Sequence, residues 1–258
     1  MLHKKLKPFP KDFLWGASTS AYQVEGANLS HGKGPSVQDV KKVPEGTSDL
    51  TVCADFYHRY KEDIALMAEM GFKCFRLSIA WSRIFANGGM EGEQPLEEGL
   101  KFYDEVISEL EKHHMEPLIT ICHDEMPMHL ALKYGGWSNR YVIDCYVKYC
   151  KTLFERFGTR CKYWLTFNEI GPCGTRESDG KVRYQADHHM FVASAKAVIL
   201  GHQMMPESMF GTMYAMSELY PATCKPEDIF KRLQARRENW YFIDTMARGY
   251  YHPYAKSV

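Results

Sequence analysis

The stretch KYWLTFNE, residues 162–169, is the segment from which the fold of this chain is most readily predicted. Its aromatic and β-branched residues are typical of a strand, and the run ends abruptly in Asn168 and Glu169. Four other segments have the same strand-like character: FLWGAS (13–18), CFRLSIAW (74–81), EPLITICH (116–123) and MFGTMYAMS (209–217). We therefore predict five strands, one of which delivers an amide and a carboxyl group side by side at its end.

Amphipathic helices alternate with these strands. Apolar residues recur at helical spacing in residues 55–71, 96–113, 139–157, 185–203 and 226–244, and the last of these helices begins with Pro226. This alternation predicts an α/β fold with a parallel sheet. Because parallel crossovers have one hand, the residues that follow the strands gather on a common rim. They are Trp81-Ser82-Arg83, His123-Asp124-Glu125, Asn168-Glu169 and Ser217-Glu218.

The amino-acid composition limits the kinds of partner that the protein could bind. The 258 residues carry a formal net charge of zero, which argues against nucleic acid or an anionic membrane and favours a neutral sugar or small metabolite. The basic N-terminus is followed by Pro8-Phe9-Pro10 rather than an apolar segment, and we expect a cytoplasmic protein without a membrane span. The eight cysteines contain no C-x-x-C pair, so we expect reduced thiols. The adjacent histidines at 113–114 and 188–189 lack a ligand framework, and we predict no metal site.

Residues 26–51 and 171–180 read as loops, and no composition shift divides the chain, so we expect one domain over residues 1–258. A closed β/α barrel has eight strands, whereas five are visible here. The fold that we predict is therefore an incomplete (β/α)8 barrel with about five parallel strands. Trp81 and Trp137 fit a core role and a sugar-platform role equally well.

Four motifs resemble glycoside hydrolase family 1: FPKDFLWGASTSAYQVEGA (9–27), RLSIAWSRIF (76–85), ICHDEMP (121–127) and WLTFNEI (164–170). Residues 57–85, 134–140, 220–228 and 237–256 look most like the bacterial 6-phospho-β-glucosidases within that family. The resemblance runs over essentially the whole chain. It implies an eight-stranded β/α barrel that hydrolyses β-glucosides or 6-phospho-β-glucosides with retention of configuration and without a cofactor.

The same resemblance assigns roles to five residues. It implies that Glu169 is the acid/base, that Asn168 binds the sugar 2-hydroxyl, and that Gln23 and His123 contact other hydroxyls of the glycone. It also implies that Arg76 pairs with the nucleophile. A proton donor at the end of a rigid strand, beside apolar residues that favour the neutral carboxyl group, suits this chemistry.

The nucleophile of the family is a glutamate in an ENG-type motif, and these 258 residues contain no such motif. The only Glu-Asn pair, Glu238-Asn239, lies in a predicted helix. One hypothesis is that a C-terminal fragment or self-association completes the enzyme. A second is that the chain is a non-catalytic sugar-binding or structural partial barrel. A third is an inverting enzyme that recruits Glu25, Glu125 or Glu218 as its base.

Overall fold

A computed structural model describes residues 6–170 and 180–257. Within them, five strands form a single sheet in which every neighbouring pair is parallel and the strand order follows the chain. The strands are β1 (Gly16–Ser18), β2 (Cys74–Ser78), β3 (Glu116–Cys122), β4 (Tyr163–Phe167) and β5 (Met209–Gly211). The predicted α/β fold with five parallel strands is confirmed.

Helices connect the strands, and all five predicted helices are present. The helices are α1 (Ala21–Val24), α2 (Phe56–Glu69), α3 (Trp81–Ile84), α4 (Glu97–Lys112), α5 (Met128–Tyr134), α6 (Tyr141–Phe157), α7 (Gly180–Met204) and α8 (Pro226–Arg248). Short 3-10 helices cover Ser30–Gly32, Gly136–Ser138 and Pro253–Ser257. Pro226 occupies the first turn of α8, where its missing N–H is not needed. No helix among the described residues is long and apolar enough to cross a membrane.

Three strands are clearly shorter than their sequence patterns predict, and one of them, β1, begins at Gly16 rather than Phe13. β2 ends at Ser78 because Trp81 turns into α3, where its ring stacks on Tyr149 at 5.2 Å between centroids. β5 ends at Gly211, which pairs with Leu165 near the end of β4. Helix α7 begins at Gly180 rather than residue 185, and the rest of the predicted loop 171–180 lies outside the described residues.

The core lies between the sheet and helices α4 and α6. Trp81 is fully buried and Trp137 is 5% exposed, so both are core residues rather than exposed sugar platforms. The hydroxyl of Tyr149, on α6, donates to the carbonyl oxygens of Ile79 (2.8 Å) and Ile121 (3.1 Å). These bonds fix the carboxyl ends of β2 and β3 relative to each other, which is where the predicted site residues begin. The cysteines at 53, 74, 122, 145, 150, 161 and 224 are free thiols, as expected, while Cys173 lies outside the described residues.

Candidate active site

The carboxyl ends of β3 and β4 form the centre of the site. Cys122 and Phe167 are register partners, and the backbone N–H of Asn168 donates to the carbonyl oxygen of Cys122 at 2.9 Å. Pairing therefore continues one residue beyond β4 and holds the two strand ends together. His123 and Glu169 follow at this edge, which is the convergence that the strand ends predicted.

Arg76 joins the site from β2. Its Nε donates to Thr120 Oγ1 at 2.9 Å, and its terminal nitrogen donates to Asn168 Oδ1 at 2.7 Å. Burial lowers the pKa of Arg76, and the negative charge of Glu169 opposes that effect. The bond from Arg76 occupies the amide oxygen of Asn168, so the amide NH2 group of this buried residue is left as the donor. A donor of this kind suits the oxygen atom of a sugar hydroxyl.

Glu169 has a left-handed backbone, with φ at +44°. This conformation costs a non-glycine residue of the order of 1–3 kcal/mol and persists only where the surroundings impose it. Asn168 and Ile170 on either side are buried, while Glu169 itself is half-buried. The left-handed backbone sets the direction in which the Cα–Cβ bond of Glu169 leaves the chain.

His123 is held as a neutral imidazole. Burial, followed by the charge of Arg76, lowers its pKa to about 4. Its Nδ1 is buried and has no hydrogen-bond partner among the described residues. A neutral imidazole donates through one nitrogen and accepts through the other, which matches a hydroxyl group.

Gln23 reaches this cluster from α1 through Tyr22. Gln23 Nε2 donates to the Tyr22 hydroxyl at 3.2 Å, and Ser20 Oγ donates to Gln23 Oε1 at 2.6 Å. The Tyr22 ring lies 6.1 Å from His123 between centroids. Burial raises the pKa of Tyr22, and the charges of Asp124, Glu125 and Glu169 add to that effect. The sequence reasoning missed Tyr22, although it lies inside the motif at residues 9–27.

Asp124, which the sequence placed on the rim without assigning it a role, is a second additional residue of the site. Burial and then the charge of Glu169 raise its pKa, while Lys41 opposes them. Like Glu169 it has a left-handed backbone, with φ at +57°. The signal for it was available in the sequence, because Asp124 follows the strand-like run EPLITICH as directly as Glu169 follows WLTFN.

The three carboxylates considered as a base for an inverting enzyme have other roles. Glu25 is buried and accepts from Arg83 Nε (3.0 Å) and the Tyr103 hydroxyl (2.6 Å). Glu218 accepts from Arg232 at 2.6 Å. Burial, together with the charge of Glu25, raises the pKa of Glu125 to about 8, so this carboxyl group is largely neutral at pH 7. Two ion-paired groups and one protonated group disfavour the inverting hypothesis.

The predicted rim segment Trp81-Ser82-Arg83 does not line the site. All three residues are buried within α3, and Arg83 forms the ion pair with Glu25. Among residues 6–170 and 180–257, no group of three or more His, Cys, Asp or Glu residues could hold a metal ion.

The carboxyl edge of the parallel sheet carries a carboxylate, an amide, an imidazole and a guanidinium group. A polar site at the strand ends is typical of the class of β/α-barrel proteins. The family model described as Glycosyl hydrolase family 1 matches residues 5–258. The chain therefore belongs to that family.

Curated relatives and solved structures agree with this assignment. The chain is 49% identical to the aryl-phospho-β-D-glucosidase BglH of Bacillus subtilis, covering 97% of this chain and 57% of the relative. It is 46% identical to a 6-phospho-β-glucosidase of Clostridium longisporum, covering 95% and 56%. The family 1 β-glucosidase of Thermotoga maritima superposes with a TM-score of 0.88 at 32% identity, covering 98% and 60%. An aphid myrosinase superposes with the same TM-score at 30% identity, covering 96% and 58%.

The alignments cover a much larger share of this chain than of its relatives. The chain is matched almost throughout, yet it spans little more than half the length of each curated relative. The fold is therefore a partial barrel that corresponds to the N-terminal portion of the family.

Proposed function

We propose that this chain supplies the proton donor of a retaining β-glycosidase that acts on 6-phospho-β-glucosides or β-glucosides. The observation that carries the proposal is the strained, half-buried Glu169 at the end of β4, beside an Asn168 that Arg76 holds at 2.7 Å. The names of the relatives, aryl-phospho-β-D-glucosidase and 6-phospho-β-glucosidase, support the substrate class.

The proposed roles follow from the chemistry of each side chain. Glu169 protonates the glycosidic oxygen as the bond to the leaving group breaks, and it later accepts a proton from the attacking water. The Asn168 amide donates to the sugar 2-hydroxyl. Neutral His123 and Gln23 bind other glycone hydroxyls, and Arg76 orients the nucleophilic carboxylate.

That nucleophile is the missing part. A retaining mechanism needs a second carboxylate about 5–5.5 Å from the acid, and the family's motif for it does not occur in these 258 residues. We propose that a further polypeptide segment, or another copy of the chain, completes the site. Support comes from the sheet, in which β1 pairs with β2 alone and β5 with β4 alone among the described residues. Unpaired strand edges invite such an addition.

Chemical rescue tests this proposal on the chain as it stands. Azide can replace a missing carboxylate nucleophile by attacking the anomeric carbon, while the leaving group takes its proton from Glu169. We expect phenol release from phenyl 6-phospho-β-glucoside, or from the unphosphorylated phenyl glucoside, only when azide is present, because phenolate is a poor leaving group that needs the proton from Glu169. Release should be lost in Glu169→Gln and kept in Glu62→Gln, which removes an exposed carboxylate on α2.

Each other result rejects a part of the proposal. Release without azide would mean that the nucleophile is already supplied, either by the chain itself or by a neighbouring copy of it, and that no further polypeptide segment is needed. Sugar binding by NMR titration without azide-dependent release would favour the sugar-binding partial barrel. Neither binding nor release, from protein shown to be folded, would favour a purely structural role.

A further inference from the structure

Helix α1 is a short segment whose backbone is anchored at both ends. The N–H of Ala21 donates at 2.7 Å to Ser78 Oγ, at the carboxyl end of β2. At the other end, Glu25 follows the helix directly and forms a buried ion pair at 3.0 Å. The side chains of Tyr22 and Gln23, which lie between these anchors, therefore leave the chain from a fixed backbone.

The side-chain amide of Gln23 is held from two sides. Ser20 Oγ donates to Gln23 Oε1 at 2.6 Å, and Gln23 Nε2 donates to the Tyr22 hydroxyl at 3.2 Å. Ser20 is buried, whereas the Gln23 side chain is exposed. A glutamine amide has two lone pairs on its oxygen and two N–H donors. Within the described part of the chain, the two bonds therefore leave one donor and one acceptor open in a fixed orientation.

The Tyr22 hydroxyl has a defined place because the ring that carries it is packed. Tyr22 is half-buried, and its ring lies edge-on to the imidazole of His123, with 6.1 Å between the ring centroids and 63° between the planes. Burial raises the pKa of Tyr22 above its usual value of 10, so the phenol is neutral at pH 7. A neutral phenol accepts the bond from Gln23 as a hydroxyl group does.

The hydroxyl matters because it restrains a side chain that is otherwise free to move. Without it, the Gln23 side chain would keep the bond from Ser20 alone. Glutamine is among the residues that lose most rotamer freedom when they are ordered. A neighbour that orders the amide in advance removes this cost from the binding of a ligand.

We propose that Tyr22 is a positioning residue for the glycone site, and that its hydroxyl holds the Gln23 amide in the orientation that binds sugar hydroxyl groups. Tyr22 acts through Gln23 and needs no contact of its own with the sugar. The ordering of Gln23 depends only on the folded chain. Its use in binding a β-glucoside rests on the proposed function.

NMR of the Gln23 side chain tests the ordering without any ligand. The Nε2 signals are assigned by their loss in Gln23→Ala, and nitrogen-15 relaxation gives the order parameter of the amide. We expect this order parameter to fall in Tyr22→Phe, which removes the hydroxyl and keeps the ring against His123. It should stay unchanged in the matched control Tyr220→Phe, which removes the hydroxyl of a tyrosine that is 81% exposed.

The same experiment can overturn the proposal. An order parameter for Gln23 that is the same in the wild type and in Tyr22→Phe would mean that the hydroxyl does not order the amide. If Tyr22→Phe does not fold, Tyr22→Met removes the same hydroxyl and should give the same fall.

A double-mutant cycle separates positioning from a structural role and from direct contact with the sugar. We expect Tyr22→Phe and Gln23→Ala each to raise the dissociation constant of phenyl 6-phospho-β-glucoside, or of the unphosphorylated phenyl glucoside, by about two- to tenfold. The double variant should bind no more weakly than Gln23→Ala, because Tyr22 then has no amide left to order. Losses that multiply would contradict positioning. If the wild type binds neither glucoside, the proposed function falls, while the relaxation result still decides whether Tyr22 orders Gln23.

Discussion

The buried ion pair between Arg83 and Glu25 gives the sharpest prediction for stability. Arg83 Nε lies 3.0 Å from Glu25 Oε2, and the two side chains are 2% and 4% exposed. The Arg83 guanidinium also donates to the carbonyl oxygen of Gly26 at 3.1 Å and lies 4.5 Å from the centre of the Tyr57 ring. The substitution Arg83→Met keeps an unbranched chain of similar length but removes the charge and every one of these interactions.

The expected loss follows from the burial of the pair. Removing one partner leaves the other charge uncompensated away from water, which typically costs about 3–5 kcal/mol. Glu25 keeps one hydrogen bond, from the Tyr103 hydroxyl at 2.6 Å, which is too little to replace a cation. Since domains are stable by about 5–15 kcal/mol, Arg83→Met should remove roughly a fifth or more of the free energy of unfolding.

Urea unfolding followed by tryptophan fluorescence measures this loss. The double variant Arg83→Met/Glu25→Gln should be more stable than Arg83→Met alone, because it no longer buries an unpaired carboxylate. Arg59→Met is the matched control, since its ion pair with Glu62 is exposed to solvent and contributes little to stability. A loss below about 1 kcal/mol for Arg83→Met, or a double variant no more stable than the single one, would refute the reasoning.

Two further predictions concern a buried acid and a close helix contact. Because the folded state raises the pKa of Glu125 from 4.5 to about 8, its neutral form stabilises the fold fully below pH 4.5 and this stability is lost as the pH rises through 8. Glu125→Gln should therefore flatten the fall of the urea midpoint between pH 4.5 and 8, and an unchanged slope would contradict the assignment. In α4, a Cβ on Gly99 would lie 2.1 Å from the carbonyl oxygen of Arg83, so Gly99→Ala should lower the melting temperature despite the better helix propensity of alanine. A melting temperature at or above the wild-type value would show that α3 and α4 can move apart.

The elements with strong local patterns could be predicted from the sequence. The helical stripe in residues 96–113 and the run EPLITICH depend on side chains close together in the chain, and both elements formed within two residues of the predicted bounds. The placement of Glu169 and His123 at one edge followed from the parallel topology alone. The end of β2 could not be predicted, because an apolar Trp81 extends a strand pattern just as well as it fills the core.

Long-range pairing accounts for most of what the sequence could not reveal. The sequence allowed Glu25 as the base of an inverting enzyme. In the fold it accepts a hydrogen bond from Arg83, a residue 58 positions away. Arg76 bonds to Asn168 across 92 positions, and no periodicity in either segment indicates that contact. The proximity of Asp124 to Glu169 needed the register between β3 and β4, which a single sequence does not specify.

The order of the strands in the sheet has a consequence for how the chain folds during synthesis. Each strand pairs with the strand that is synthesised just before it. Its partner has therefore already left the ribosome when the strand itself emerges. Pairing between consecutive strands keeps the sequence separation lower than pairing between distant strands would, and the sheet can grow by one unit at a time from the N-terminus. Throughout this growth the unpaired edges of the described sheet are those of β1 and of the newest strand, and the strand that leads to Asn168 and Glu169 is the fourth to be added.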